Sequence, residues 1–209
     1  MTVQFSDVEF EKLKKMLCVY EWGLQTLMTK LRIVHSDLKS FQDKDIIDHI
    51  SSRLKTPSSI ALKLYKLGKP LTVESAAENL FDIAGCRIIC HFNEDINSLV
   101  GILRSMPDIN ILTEKDYVTN PKPSGYRSYH IILEVPVFYS GRIENVKAEI
   151  QIRTEAMNFW STLEHKVRYK YKGEIPKHLS DELALIAQKT DELDNRMFLI
   201  HEIISMLNE

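Results

Sequence analysis

Acidic and basic side chains in this sequence are spaced in a way that suits the handling of phosphate. The stretch from Val146 to Tyr171 passes from a strand into a helix. Between Lys147 and Arg153 the residues alternate, with Ala148, Ile150 and Ile152 on one face and Lys147, Glu149, Gln151 and Arg153 on the other, the period of a half-buried strand. In the helix that follows, Met157, Trp160, Glu164, Val167 and Tyr171 fall three or four apart, which sets Glu164 inside an apolar stripe. A carboxylate in that position needs a nearby Lys or Arg, or a ligand or cation across a cleft. Glu149 and Glu164 are therefore expected to flank one cavity, with Arg153, Lys166, Arg168 and Lys170 as candidate anion contacts.

Two further clusters fit the same chemistry. Thr56-Pro57 reads as the N-cap and first position of a helix, and Arg53, Lys55, Ser58, Ser59 and Lys63 gather around that end. Free amide N–H groups, the positive end of the helix dipole and several cations together bind phosphate. In the Pro/Gly loop NPKPSG and the strand after it, Tyr126 lies near Lys122, Arg127 and His130, a combination that can stack a base and hold its phosphates. The sequence contains neither GxxxxGK[ST] nor GxGxxG. A nucleotide would have to be held by side-chain cations and a metal on carboxylates, and Asp82 and Glu149 are the acids best placed at strand positions. The segment HFNED at His91 to Asp95 resembles a metal-hydrolase signature only faintly, because its upstream partners are missing and it straddles a strand end.

These groups must be positioned by a framework of helices and strands. Ser6 to Glu9 reads as a capping box, flanked by Phe5 and Phe10 at staple positions. The helix it opens carries Leu13, Leu17, Tyr20, Leu24, Leu27, Leu31, Val34 and Leu38 at heptad-like spacing. A second seam follows Ser180, with Leu183, Ile186, Thr190, Leu193, Met197, Ile200, Ile204 and Leu207. The two terminal helices can pair with each other or with another subunit, and a homo-oligomer is expected. Two shorter helices are predicted between Asp43 and Gly68, a strand from Asp82 with Cys86 and Cys90 on its inner side, and a helix through Ile96, Leu99, Val100 and Leu103. An extended segment from Ile109, the strand after Tyr126 and a turn at Ser140-Gly141 lead back to the strand of Glu149. The order α, α, α, β, α, β, β, β, α, α implies an α+β fold, a mixed and largely antiparallel sheet surrounded by helices, with long heptad-like helices at both ends.

With 209 residues, 44% of them hydrophobic, the chain can bury a sizeable core, and its formal charge of −2 confines any nucleic-acid contact to local clusters. Three cysteines without a CxxC pair, an N-terminus without an apolar h-region and no apolar run of membrane-spanning length argue for a cytoplasmic protein and against membrane association.

Taken together, Arg53-x-Lys55 with Ser59 and Lys63, Asp82-Ile-Ala-Gly-Cys-Arg87, Lys115-Asp-Tyr, Lys122-x-x-Gly-Tyr126-Arg-Ser-Tyr-His130, Glu149-Ile-Gln-Ile-Arg-Thr and Ala-Met-Asn158-Phe-Trp-x-x-x-Glu164-His165 resemble the synthetase motifs of RelA/SpoT-type alarmone synthetases. They stand in family order over about Arg53 to Gly173, and the short chain with helical ends is similar to the small, single-domain subfamily. The resemblance implies one nucleotidyltransferase-like synthetase domain over residues 1–209, with N-terminal helices over 6–50, a catalytic core over 53–173 and a C-terminal helix over 180–207. It also implies transfer of pyrophosphate from ATP to the 3′-hydroxyl of GDP or GTP, giving AMP and ppGpp or pppGpp. No room is left for the separate hydrolase domain of the long forms, so synthesis without hydrolysis is expected.

By the same resemblance Asp82 and Glu149 would be the catalytic acids and hold Mg²⁺, with Glu149 accepting the 3′-hydroxyl proton. Arg53 and Arg87 would sandwich adenine, and Lys55, Ser59 and Lys63 would meet the ATP phosphates. Tyr126 would stack on guanine with Asn158 near its edge, Lys115, Lys122 and His130 would contact the acceptor's phosphates, and Gln151 and Glu164 would line the cleft. Relatives assemble into tetramers through terminal helices, and some bind pppGpp as a regulator in a pocket with an aromatic residue where this chain departs from the pattern with His49; RNA is the other regulator to consider. Two different functions stay open: a toxin-type relative acting on adenosine nucleotides or the tRNA 3′ end, and a non-enzymatic RNA-binding module using Arg153, Arg168, Lys170, Lys172 and Tyr126.

Overall fold

The leucine seam of the first helix points inward. In the computed structural model, which describes residues 3–171, 173 and 175–207 and the side chains of all these but 169 and 170, α1 (Asp7–Phe41) lies across a five-stranded sheet. Leu13, Leu27 and Leu31 are fully buried, and Tyr20, Leu24 and Leu38 nearly so. Each such side chain contributes roughly 1.5–3 kcal/mol by leaving water. Gly23 allows the close approach, because a Cβ there would meet the Val146 side chain at 2.7 Å. Met28 touches Cys86, whose Sγ lies 3.6 Å from the methionine sulfur. This seam is therefore core rather than an interface between subunits. The capping box forms by half: the Ser6 hydroxyl accepts from the Glu9 N–H, whereas the Glu9 carboxylate accepts from the Val73 N–H at 2.9 Å and ties α1 to the next layer.

The strands are β1 (Ile47–Leu54), β2 (Ala84–Cys90), β3 (Asn110–Asp116), β4 (Tyr129–Tyr139) and β5 (Arg142–Thr154), in the order β1-β2-β5-β4-β3. β2 and β5 run parallel and every other pair is antiparallel, as the sequence pattern predicts for a mixed, largely antiparallel sheet. One expectation is overturned at β1. Residues 47–54 form an edge strand paired with β2, not a helix, so helix at the N-terminal end stops at Phe41 well short of residue 50. An edge strand whose residues are mostly exposed has no apolar period to reveal it.

α2 (Pro57–Lys66) and α3 (Val73–Asn79), the latter not expected from the sequence, are capped by Thr56 and Thr72. α4 (Asn93–Ser105) buries Ile96, Leu99, Val100 and Leu103, and Asp95 caps it by accepting from the Phe92 N–H at 2.8 Å. The β4–β5 turn places Ser140 and Gly141 at φ 48° and 76°, the two-residue hairpin the sequence predicts. α5 (Glu155–Lys170) starts from the Thr154 cap, and α6 (Lys177–Leu207) runs past it.

α6 docks through a face rotated away from most of the seam read from its sequence. Its inner contacts are made by Ala187, Asp191, Asp194 and Phe198, while Leu193, Met197, Ile200 and Ile204 are more than half exposed. No helix among the described residues is long and apolar enough to cross a membrane.

Candidate active site

The sheet face opposite α1 gathers side chains from every strand. Ser51, Arg87, Gln151, His130 and Lys115 are successive partners across β1, β2, β5, β4 and β3, and cross-strand partners share a face. One step along the strands, Arg53, Gly85 and Glu149 form the neighbouring row. Arg53, Gly85, Arg87, Glu149 and Gln151 line a cavity of about 210 Å³. Gly85 adds no side chain to its floor, where a Cβ would reach ordinary contact with the Arg53 side chain at 3.6 Å.

Asp82 lies two residues ahead of β2, and its carboxylate is met by Lys55 Nζ at 2.7 Å and Lys63 Nζ at 2.8 Å. Lys55 is delivered by the β1–β2 edge, where its own N–H donates to the Ile83 carbonyl at 2.8 Å. Lys63 comes from the second turn of α2, whose capping Thr56 hydroxyl accepts from the Ser59 N–H and donates to the Ser59 hydroxyl at 2.9 Å. Burial works to raise the Asp82 carboxyl, but hydrogen bonds from the two lysines outweigh it and hold the group below its ordinary value.

Glu149 anchors a second network. Its carboxylate faces His130 Nδ1 at 2.9 Å and accepts from Gln151 Nε2 at 2.9 Å. Nε2 of the same imidazole lies 2.8 Å from the Tyr126 hydroxyl, which in turn accepts from Arg153 at 2.7 Å. Arg153 can only donate, so the Tyr126 oxygen is the acceptor at that contact. Burial pushes the Glu149 carboxyl up, and the His130 hydrogen bond and charge, with Gln151, more than offset it, leaving Glu149 below the usual carboxylate value.

Positive charge is concentrated well beyond what these two acids neutralise. Arg153 is buried, and Arg87 is drawn below its ordinary value by burial and by Arg153 and Arg53. Lys122 Nζ stands 4.6 Å and 4.9 Å from the ring centroids of Tyr117 and Tyr126, while Arg153 lies 5.1 Å from the Tyr126 centroid. Nε of Arg87, Nε of Arg153 and the Asn158 carboxamide oxygen are buried without a hydrogen-bond partner. Unspent donors and acceptors of this kind in a cationic cleft suit an anionic ligand bearing N–H groups.

Asp82 and Glu149 lie toward the same end of the parallel β2–β5 pair, close enough that the Asp82 charge works to raise Glu149. Two ionised carboxylates fit Mg²⁺, which takes one or two such ligands and completes its shell with water and substrate phosphates. Among the described residues no cluster of three or more His, Cys, Asp and Glu could hold a metal by itself.

Some predicted residues have partners of their own. Glu164 pairs with Arg168 one turn along α5, the nearby Lys or Arg that a carboxylate in that stripe calls for. Lys166 is exposed, and the Lys170 side chain and Lys172 lie outside the described residues. In HFNED, His91 faces Glu155 and Asp95 caps α4, both structural roles. Sequence reasoning missed Tyr117, which packs edge-on against His130 at 5.4 Å. Only the β3–β4 register, with the Tyr117 N–H donating to the Ser128 carbonyl, brings it there.

Comparison with known proteins assigns this chain to a family. The family described as a region found in RelA / SpoT proteins matches residues 52–174, and the chain belongs to that family. It is 44% identical to the GTP pyrophosphokinase YwaC of Bacillus subtilis, over 90% of this chain and 89% of that one. With the GTP pyrophosphokinase YjbM of the same organism it shares 34% identity, over 88% and 86% of the two chains. Among solved structures, it is similar to small alarmone synthetase 1 of B. subtilis bound to its product pppGpp, with TM-score 0.84 and 33% identity over 93% of this chain and 98% of that one. Small alarmone synthetase 2 of B. subtilis gives TM-score 0.82 and 43% identity, over 91% and 98%.

Proposed function

We propose that this protein is a GTP pyrophosphokinase that moves the β,γ-pyrophosphoryl group of ATP to the 3′-hydroxyl of GDP or GTP, releasing AMP. The observation that carries the reading is the pair of ionised carboxylates, Asp82 just ahead of β2 and Glu149 beside the start of β2 on the parallel β5, with Lys55 and Lys63 on the first and Arg53 and Arg87 lining the cavity of the second. In the reaction the 3′-oxygen bonds to the β-phosphorus and the bond from that phosphorus to the oxygen of AMP breaks. The protein's task is positioning and charge neutralisation rather than covalent chemistry.

Arg53 and Arg87 flank the opening above Gly85, where a flat adenine ring has room. Lys55 and Lys63 turn from Asp82 to the donor's phosphates, with Ser59 and the N-terminus of α2 beside them. Mg²⁺, held by Asp82 and Glu149, would neutralise charge on the transferred group. Glu149 takes the 3′-hydroxyl proton, and His130 and Gln151 fix its orientation while it does so. Tyr126 offers its ring to guanine, the unpartnered Asn158 oxygen suits guanine N–H groups, and Lys115 and Lys122 meet the acceptor's phosphates.

The outward apolar face of α6 supports assembly into a homo-oligomer, since Leu193, Met197, Ile200 and Ile204 are left more than half exposed by the described residues. The function is tested by incubating the protein with Mg²⁺ and γ-labelled ATP and, in parallel, GDP, GTP, ADP and tRNA. Label should pass to GDP and GTP; transfer only to ADP or tRNA would replace the acceptor, and no transfer at all would remove the activity.

A further inference from the structure

The turn that carries Lys122 and Tyr126 rests on α6. Gly125 N–H donates to the Lys122 carbonyl at 2.8 Å, and the Lys122 N–H donates back to the Tyr126 carbonyl at 3.1 Å, closing a tight turn. Gly125 adopts φ +86°, and a Cβ there would lie 2.4 Å from the Ala187 Cβ and 3.5 Å from the backbone of Ala184. The turn is thus pressed flat against small residues of α6. Beside it, Arg127 forms an ion pair with Asp191 of α6 at 3.0 Å, and its other amino group donates to the Val118 carbonyl at 2.5 Å. One guanidinium therefore ties together both arms of the loop and the helix. The inner face of α6 is further pinned to the start of α5 by Thr154, whose hydroxyl donates to Asp194 at 2.5 Å, and by Trp160, which donates to the Leu183 carbonyl at 3.0 Å.

We infer that Asp191 is a positioning residue for the acceptor nucleotide, acting through Arg127 to hold the turn of Lys122 and Tyr126, so that α6 couples its own seating to acceptor affinity. This rests on the proposed function in one respect, the identity of the ligand. The donor's residues Arg53, Lys55, Lys63 and Arg87 lie on β1, α2, β2 and the segment between β1 and α2, none of which the ion pair touches. The coupling is accordingly one-sided: Asp191 should influence the acceptor and leave the donor alone. A charge-assisted pair of this geometry changes affinity by about tenfold when broken.

The test uses the full chain carrying Asp191→Asn, and the double variant Arg127→Asp with Asp191→Arg, read by amide hydrogen exchange over residues 117–127 without nucleotide and by equilibrium binding of GDP and of ATP. Exchange over the turn should quicken about tenfold in the single variant and recover in part in the double one, which restores the ion pair to α6 but not the donation to the Val118 carbonyl; GDP affinity should fall about tenfold in the single variant with ATP affinity unmoved. Unchanged exchange overturns the inference whatever the activity. Faster exchange with unaltered GDP affinity, or equal losses for GDP and ATP, overturns the positioning role. If the unmodified protein binds no guanosine nucleotide, the proposed function and the acceptor role fall together, while the exchange result still decides whether Asp191 seats the turn.

Discussion

Glu149 is kept anionic by an imidazole whose other nitrogen is committed to Tyr126, and that arrangement makes His130 a support for the base. The resemblance assigns His130 to the acceptor's phosphates, a contact the imidazole can make only by giving up one of these partners. Replacing His130 with Ala removes the hydrogen bond and the charge that hold the Glu149 carboxyl low, leaving burial and Asp82 to raise it. The acid limb of the kcat profile should therefore move to higher pH, with kcat lower by about 10²-fold, the range for a displaced catalytic group. An acid limb unmoved by the substitution would detach His130 from Glu149. At this scale the residues themselves marked Lys55 and Lys63 at the start of α2, Asp82 and Glu149 as the acids at strand positions and Gln151 on a polar strand face, and only the family resemblance joined them into one site. The sequence was uninformative where a partner depends on register or on a side chain's own helix, as with Tyr117 and with Glu164, whose Arg168 stands four residues on.

At the scale of elements, α6 carries two periodic faces, and the apolar one dominates any reading of its sequence. The face that docks is built of Ala187, Asp191 and Asp194, which no hydrophobic pattern would single out. Similarly, β1 was hidden because an exposed edge strand alternates in nothing, whereas β5, buried on one side and polar on the other, announced itself. Asp194 shows how the docking face responds to pH. Burial, then Asp191, Glu155 and Glu94, raise its carboxyl above the ordinary 3.8, against the hydrogen bond from Thr154. A folded value above the unfolded one means that its contribution is fully present below pH 3.8 and is lost as pH rises through the folded value. Asp194→Asn keeps an acceptor for Thr154 and removes the buried charge. Thermal unfolding should show the variant more stable than the parent near neutral pH, with the difference closing as pH falls below 3.8. A variant less stable at neutral pH would contradict this.

For the whole molecule, one terminal helix supplies the core and the other presents apolar surface to whatever covers it. The two looked alike as sequences, since a heptad-like seam does not say whether its partner is the same chain or another; the sheet decides, by burying Leu13, Leu27 and Leu31 of α1 and leaving Met197 and Ile200 of α6 exposed. If a second copy covers α6, charge on that face disperses the assembly without unfolding the subunit. Met197→Glu with Ile200→Glu should sediment as a 24.3 kDa monomer with unchanged helix content, while the parent sediments as a multiple of that mass. A parent that is monomeric would contradict the assembly.

The central claim concerns two acids with separate duties in one cationic cleft, and it is tested most directly by Glu149→Gln, measured for nucleotide binding and for transfer of label from γ-labelled ATP to GDP. Binding energy resides in the arginines, the lysines and Tyr126, whereas proton removal needs the carboxylate, so binding should persist and transfer should fall by about 10³-fold or more. Transfer that survives the amide would take Glu149 out of the mechanism.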